Sequence, residues 1–342
     1  MKTITKGKKM NNIKKIGLTA LAGSLVAISA QAAEMTVSGA TVLTYTSKGP
    51  TESTGNPFGM KTNLSFTASG EVNGYNVSYM QTSKDQFAGM SSARLSMDLG
   101  DMGTLAFDQG SGSGLGTIDD KTPTAAEEIW DGLDTDGTNG ANGLVGAAGA
   151  SGVFNYINTF GGVTFNGAAR MGEGVKNADG GSSGNSTGAW DFALTTDGSM
   201  IGVDGLAMGA GYGEKETGMN SATDLDDDVH MTAFANYSMG PVTLGVQVSD
   251  IEKGAAAAVS QSTEAWGLAF NVNENLSISY GEREVTFHNP SATDVVENGE
   301  GIAIAYTMGS IKIAGNSNEV TDNDGTAGSG DEMTEIAVSF AF

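Results

Sequence analysis

The chain contains 0 cysteines among its 342 residues. Disulfides, thiolate nucleophiles and cysteine-ligated metals are therefore excluded. Histidine occurs 2 times and proline 5 times. Bases are scarce as well, with 17 Lys+Arg against 40 Asp+Glu. Six of the 17 are lysines crowded before Ile16, which leaves eleven for the remaining chain and a formal charge there near −29. That balance excludes nucleic acid as a partner, because phosphate binding needs a basic face. It favours cations, or a salty medium that screens the charge. No stretch beyond residue 32 approaches 18 consecutive apolar residues, so no helix there reads as a membrane span.

The first residues form a different unit. Lys2, Lys6, Lys8, Lys9, Lys14 and Lys15 come without an acid, and "IGLTALAGSLVAISA" (Ile16 to Ala30) follows. With Ala30-Gln31-Ala32 this makes a basic head, an apolar stretch and an A-x-A cleavage site. The pattern predicts an export signal over 1–32, removed after Ala32, with either Met1 or Met10 as the start. The mature unit is then 33–342, and its even composition predicts one domain.

Glycine is abundant, at 51 residues, and charged residues make up 17%. Apolar residues are scattered singly and alternate with polar ones. In "ARLSMDLG", Leu95, Met97 and Leu99 oppose Arg94, Ser96 and Asp98; in "TLGVQVSD", Leu244, Val246 and Val248 oppose Thr243, Gln247 and Ser249. This is the period of a strand with two unlike faces. Sixteen such segments run from "EMTVSGATVLTYT" at Glu34 to "EIAVSFAF" at Phe342, each near the roughly ten residues of a tilted membrane strand. Short turns, such as Gly70 to Asn73, Met239 to Pro241 and Met308 to Ser310, are expected to alternate with long polar loops: seven turns and eight loops. Sixteen strands enclose a space too wide for side chains to fill. The apolar face must then point outward into lipid and the polar face inward to water. The expected fold is all-β: a transmembrane antiparallel β-barrel of about sixteen strands. Its last strand must close on its first, because lipid tolerates no open edge.

One connection stands apart. About forty residues, Gly110 to Ser151, separate the fifth and sixth segments, and a loop of that length is usually functional or disordered. Its middle reads "IDDKTPTAAEEIWDGLDTDG". Thr124-x-x-Glu127 fits a capping box, which predicts a short helix over Ala125 to Asp131 anchored by Ile129, Trp130 and Leu133.

The whole chain resembles the general Gram-negative porins. The resemblance rests on the export signal, the sixteen segments, the long third loop with "TAAEEIWDG", the segment "LSMDLGDMGTLAFDQG" and the terminal Phe342. It implies an outer-membrane, usually homotrimeric, passive diffusion channel for small polar solutes and ions, set in outer-membrane lipid. It implies that the third loop folds into the lumen and that its acids face bases on the wall. It also implies that a terminal aromatic strand, here with Phe340 and Phe342, is the address read by the barrel-insertion machinery.

Parity places Lys61, Arg94, Arg170, Arg283 and Lys312 on inward faces. These bases either simply avoid lipid, where a base costs roughly 2–4 kcal/mol at the midplane, or form the basic side of a constriction. Asp119, Asp120, Glu127, Glu128 and Asp131 are the acids expected to face them. Opposed charges would orient dipolar solutes, and the acid excess favours cations.

Acidic clusters at Asp134 to Gly140, Asp224 to Asp228 and Asp322 to Gly325 suit hard divalent cations, but none matches a full calcium-loop spacing. They leave room only for loosely held Ca²⁺ or Mg²⁺, and no other cofactor is expected. Catalysis finds little support. His230 follows Asp228 by two residues, yet no G-x-S-x-G elbow and no metal triad accompanies it, so it reads as a loop-edge histidine. The competing reading is a non-channel outer-membrane barrel, structural or adhesive through its acidic loops. A soluble, acidic secreted β-protein fails on the outward apolar face.

Overall fold

In the computed structural model, the structure describes residues 34–49, 55–83, 89–133, 142–149, 151–172, 187–217 and 226–342. The export signal 1–32 and the acidic cluster at 134–140 lie outside them. Sixteen strands follow one another: β1 (Glu34–Lys48), β2 (Phe58–Val72), β3 (Tyr75–Ser83), β4 (Met90–Asp98), β5 (Thr104–Gln109), β6 (Ser151–Phe160), β7 (Val163–Arg170) and β8 (Ala189–Asp197). The second half comprises β9 (Leu206–Lys215), β10 (Asp228–Met239), β11 (Val242–Glu252), β12 (Ser260–Asn271), β13 (Leu276–His288), β14 (Val295–Met308), β15 (Ile311–Thr321) and β16 (Gly330–Ala341). Each pairs antiparallel with its chain neighbour, and β1 pairs with β16 to close the barrel.

The closing seam runs from Ala40↔Ala341 to Lys48↔Met333. It continues one step further through Phe342, whose N–H and C=O both bond Gly39, at 3.0 and 2.9 Å. The terminal strand therefore has its partner on both sides, as alternation demanded. Phe340 and Phe342 are exposed on the outer face.

Alternation holds around the barrel. Met35, Val37, Leu95, Val246, Val248, Ile302, Ile304 and Ile336 are exposed and share the outer face, while Asn155, Asp191, Gln247, Ser279 and Asn318 are buried on the inner one. Apolar side chains out and polar side chains in is the arrangement that lipid outside and water inside select.

Two expectations fail in detail. The loops are not uniformly long: 253–259 and 289–294 are shorter than the turn 198–205. The reason is that the strands extend beyond their alternating cores, β11 to Glu252 and β12 from Ser260, β13 to His288 and β14 from Val295, so strand replaces expected loop. The helix over Ala125 to Asp131 is absent, and among the described residues no α-helix forms. Thr124 does not cap; its hydroxyl donates to Ala126 O at 3.4 Å. Asp131 N bonds Glu128 O and Leu133 N bonds Trp130 O, which are isolated turns. The backbone groups a helix would use internally bond the barrel wall instead, as described below.

The apolar core is small and lies off-axis. Leu115, Ile118 and Val145 of the third loop pack with Ala193, Phe234 and Ile251 of the inner wall, and Leu133 packs with Val320 and Met333. A row of glycines makes room for the same segment. Gly245, Gly267, Gly281 and Gly301 are successive cross-strand partners on β11 to β14. A Cβ at Gly267 would stand 2.8 Å from Pro123 O, and one at Gly301 would stand 3.0 Å from Ile129. Glycine is needed there for closeness of approach, and the loop rests on bare backbone.

This shelf makes a prediction. Gly301→Leu overpacks the contact, at a cost of about 1–3 kcal/mol, and is expected to speed amide exchange across 123–133 while the strand ladder stays protected. Gly299→Ala, where the nearest atom to a Cβ is 3.8 Å away, should leave exchange unchanged. Unaltered exchange in Gly301→Leu would count against the shelf.

Candidate functional site

The third loop leaves β5 at a charged clamp. Asp108 is fully buried. Its carboxylate accepts from Ser111 N at 2.9 Å and Ser113 Oγ at 2.7 Å, and from the Ser111 hydroxyl. Arg94 on β4 brings Nη1 within 3.5 Å of Asp108 Oδ2. It also donates to Gly112 O at 3.1 Å and to Asn155 Oδ1. Arg94 therefore fixes the direction in which the loop departs.

Asp191 on β8 holds both limbs. Leu115 N donates to Oδ1 at 3.0 Å on the outgoing limb, and Ala148 N donates to Oδ2 at 2.7 Å on the returning limb. Between these points the loop crosses the inner faces of successive strands. Gln247 donates to Ile118 O and Asp119 O, at 2.9 and 3.0 Å, and accepts from Lys121 N at 2.6 Å. Asn236 donates to Lys121 O at 2.7 Å, and Ser279 accepts from Ala125 N at 2.8 Å. Asn318 donates to Glu128 O and Asp131 O, at 3.1 and 3.0 Å. On the way back, Asn142 donates to Glu297 at 3.0 Å and Gly143 N to Gln261 Oε1 at 2.8 Å. Side-chain amides that both donate and accept can satisfy an irregular backbone that makes no ladder of its own.

The expected bases divide by partner. Arg283 is 4% exposed. Its guanidinium lies 4.8 Å from the Trp130 ring, and Nη1 is 3.9 Å from Glu297. Arg170 donates from Nε to Thr187 O at 3.1 Å. Arg94 and Arg283 thus serve the third loop and the wall, whereas Arg170 serves the connection that precedes β8. Lys61 is an inward base near the loop acids, close enough to oppose the upward push on Asp131. Lys312 follows the turn at Gly309–Ser310, six residues from Asn318, or roughly 20 Å along the strand. The structure does not bring it to the loop.

The expected acids do gather. Glu127 and Glu128 are exposed, and Asp119, Asp120 and Asp131 are half-buried. Burial pushes Asp119 up to about 6, with Asp120 adding repulsion. Asp131 is also pushed up to about 6, by burial first and then by Glu127, Glu335 and Glu128. Asp120 turns back on its own loop and accepts from Thr122 N and Oγ1, at 3.0 and 2.9 Å.

His230 is not a loop-edge residue. It is the third residue of β10, buried on the inner face, and Nδ1 accepts from Gly146 N at 3.3 Å. Asp228 does not pair with it, because its carboxylate takes Lys253 Nζ at 3.0 Å and Gly254 N at 3.0 Å. The loop's polar seats, Asp191, Gln247, Asn236 and Asn318 above all, were missed in the sequence. Their signal was present: an acid or amide at an inward position of an alternating segment, as Asp191 stands between Trp190 and Phe192.

A closed sixteen-strand barrel, apolar outside and polar inside, with a long segment seated on its inner wall, defines a membrane pore protein of the outer-membrane kind. The chain belongs to the Gram-negative porin family, whose model matches residues 17–342. No curated protein sequence matches it. Solved structures match in fold. An anion-selective porin from Comamonas acidovorans shares 13% identity at a TM-score of 0.64, covering 91% of this chain and 100% of its own. OmpT of Vibrio cholerae, folded in vitro, shares 11% at 0.65, covering 92% and 99%. Salmonella typhi OmpF, in complex with daunomycin, shares 13% at 0.66, covering 91% and 98%.

The double clamp is testable. Asp191→Ala leaves two loop N–H groups without their acceptor, at roughly 1–3 kcal/mol each. Protease added to the folded barrel is expected to cut within the third loop of this variant several times faster than in the wild type. Asp191→Asn, which keeps one acceptor oxygen, should fall between. Equal cutting in all three would show that Asp191 does not hold the loop.

Proposed function

We propose that the protein is a passive, cation-preferring diffusion channel for small hydrophilic solutes and ions. In this reading the third loop lies inside the lumen and narrows it. The observation that carries the proposal is the acid excess on that loop, where Lys121 is the one base among its described residues. Asp119, Asp120, Glu127, Glu128 and Asp131 stand together with Glu335, while Arg94 and Arg283 are occupied in holding the loop and Arg170 donates to Thr187 O. Lys61 is the wall base beside them, and Lys121 of the loop itself lies next to Asp119 and Asp120. A narrow throat with an excess of fixed carboxylates raises the local concentration of cations and repels anions.

The experiment is reversal potential in a planar bilayer under a potassium chloride gradient. Cation preference is expected, weakening as salt shortens the screening length below about 8 Å. Asp131→Asn removes one charge near the throat. At roughly 8 Å in water that charge is worth about 0.5 kcal/mol, so preference should fall about twofold. Lys61→Gln should raise it by a similar factor. Asp119 and Asp131, both pushed up to about 6, lose charge as pH falls from 7 to 5. Cation preference should weaken over that interval, with its midpoint near 6. The same sign applies to stability. Folded values above the 3.8 of an ordinary aspartate mean that the ionised forms oppose the fold, and this is relieved as pH falls from about 6 towards 4. Anion selectivity, or no conductance, would sink the proposal and favour the structural or adhesive barrel.

A homotrimer fits the family, and one solved form of Vibrio cholerae OmpT is described as a trimer. Exposed Phe340 and Phe342 support reading the terminal strand as the address for the insertion machinery. Deleting Phe342 is expected to lower the yield of heat-resistant trimer on unheated gels while leaving the conductance of inserted molecules unchanged. A monomer alone in unheated wild type would remove the trimer reading, and an undiminished yield in the deletion would remove the address reading.

A further inference from the structure

At the loop end of the barrel, on its outer face, three side chains stand in a line that the pore does not use. Ser262 is on β12, His288 ends β13, and Asp294 lies in the connection to β14. Ser262 Oγ is 2.8 Å from His288 Nε2, and His288 Nδ1 is 3.0 Å from Asp294 Oδ2. The other oxygen of Asp294 accepts from Asn289 N at 3.1 Å, which fixes the carboxylate. These bonds hold Asp294 below its usual range. An ionised Asp294 only accepts, so Nδ1 carries the proton, and in the neutral imidazole Nε2 accepts from the serine hydroxyl. That is the tautomer a general base requires, and both distances meet the geometric test for a nucleophile, a base and the group that orients it.

We propose that Ser262, His288 and Asp294 form an ester-cleaving site on the outer rim of the barrel. Ser262 Oγ attacks the carbonyl carbon of a carboxylic ester and gives its proton to His288 Nε2. The bond from carbonyl carbon to alkoxy oxygen breaks, and the departing alcohol takes that proton. Water, deprotonated by the same nitrogen, then attacks the acyl carbon; the bond to Ser262 Oγ breaks, Oγ takes the proton back from Nε2, and a carboxylic acid is released. Thr286 is the register partner of Ser262 across the ladder, which puts its hydroxyl on the same face as the oxyanion it is to receive. Asp294 is a positioning residue and does not touch substrate.

Surroundings select the substrate. Asp250 is the register partner of Ser262 on the other side, and Glu252, Glu264 and Glu284 are exposed on the same outer face. Four carboxylates repel anionic esters, so the class is a neutral or cationic ester with a small acyl group. The site is half-exposed to exposed at each member. It stands eight residues beyond Tyr280, roughly 26 Å along the strand, above the apolar band of Ile278, Ile302 and Ile304. It therefore meets solutes of the outside medium and not acyl chains in the bilayer.

The test uses the full folded barrel in detergent. A fluorophosphonate probe is expected to label Ser262, found by mass spectrometry of the modified peptide, and p-nitrophenyl acetate to be hydrolysed catalytically. Ser262→Ala abolishes labelling. His288→Gln lowers hydrolysis by about a hundredfold or more. Asp294→Asn lowers kcat at least tenfold with KM unchanged, a split that a merely structural bond would not produce. Channel conductance unchanged in all three shows that each variant is folded. A wild-type barrel that is neither labelled nor active, or labelling that survives His288→Gln, overturns the proposal.

Discussion

A barrel of sixteen strands cannot fill its own interior. The wall is one residue thick, and inner side chains reach only part of the way to the axis. The structure depends on that shortfall. It removes the central apolar core on which most folds rely. What remains is a continuous backbone ladder and small apolar contacts beneath one segment. The ladder supplies closure and satisfies the backbone in lipid.

The segment is held in a manner suited to water on one side. Its backbone does not form regular structure, because every few residues an inward amide, hydroxyl or carboxylate takes a backbone group. Gln247 alone satisfies two carbonyls and one N–H. Asp191 takes one N–H from each limb, so departure and return are tied at a single carboxylate. Arg94 and Arg283 are drawn into this scaffold. Arg94 fixes the exit from β5, and Arg283 sits under Trp130. The charge left on the segment is mostly acid, and it stems from how the loop is anchored as much as from composition.

The strand count, the outward apolar face, the closing seam and the place of the long loop were legible in the sequence, because period-2 alternation repeats sixteen times and one connection breaks its rhythm. Ile129 and Leu133 were legible as anchors. The helix was not, and the reason is physical. The sequence around Thr124 and Glu127 suits a helix in isolation, but Ser279 and Asn318 compete for the same backbone groups from strands more than 150 residues away. Local pattern has no access to that competition. The same holds for Arg283 and Lys312, which share an inward parity and yet lie at different heights. Parity reads the face, whereas height depends on strand stagger. The Ser262–His288–Asp294 line is the extreme case, since it joins two strands and a loop in a register no spacing rule records.

Fifteen of the sixteen strand pairings join chain neighbours through a turn or loop. The sixteenth joins residues about three hundred apart, as in Ala40↔Ala341. Closing a loop of that length costs about 5 kcal/mol in chain entropy, a term no hairpin in the barrel meets. Until it is met, the molecule is a curved strip with two unpaired borders, Glu34–Lys48 and Gly330–Ala341, each a template for foreign strands. The barrel's hazard is thus concentrated in time, at the last pairing, and its permanence afterwards comes from having no border left to peel.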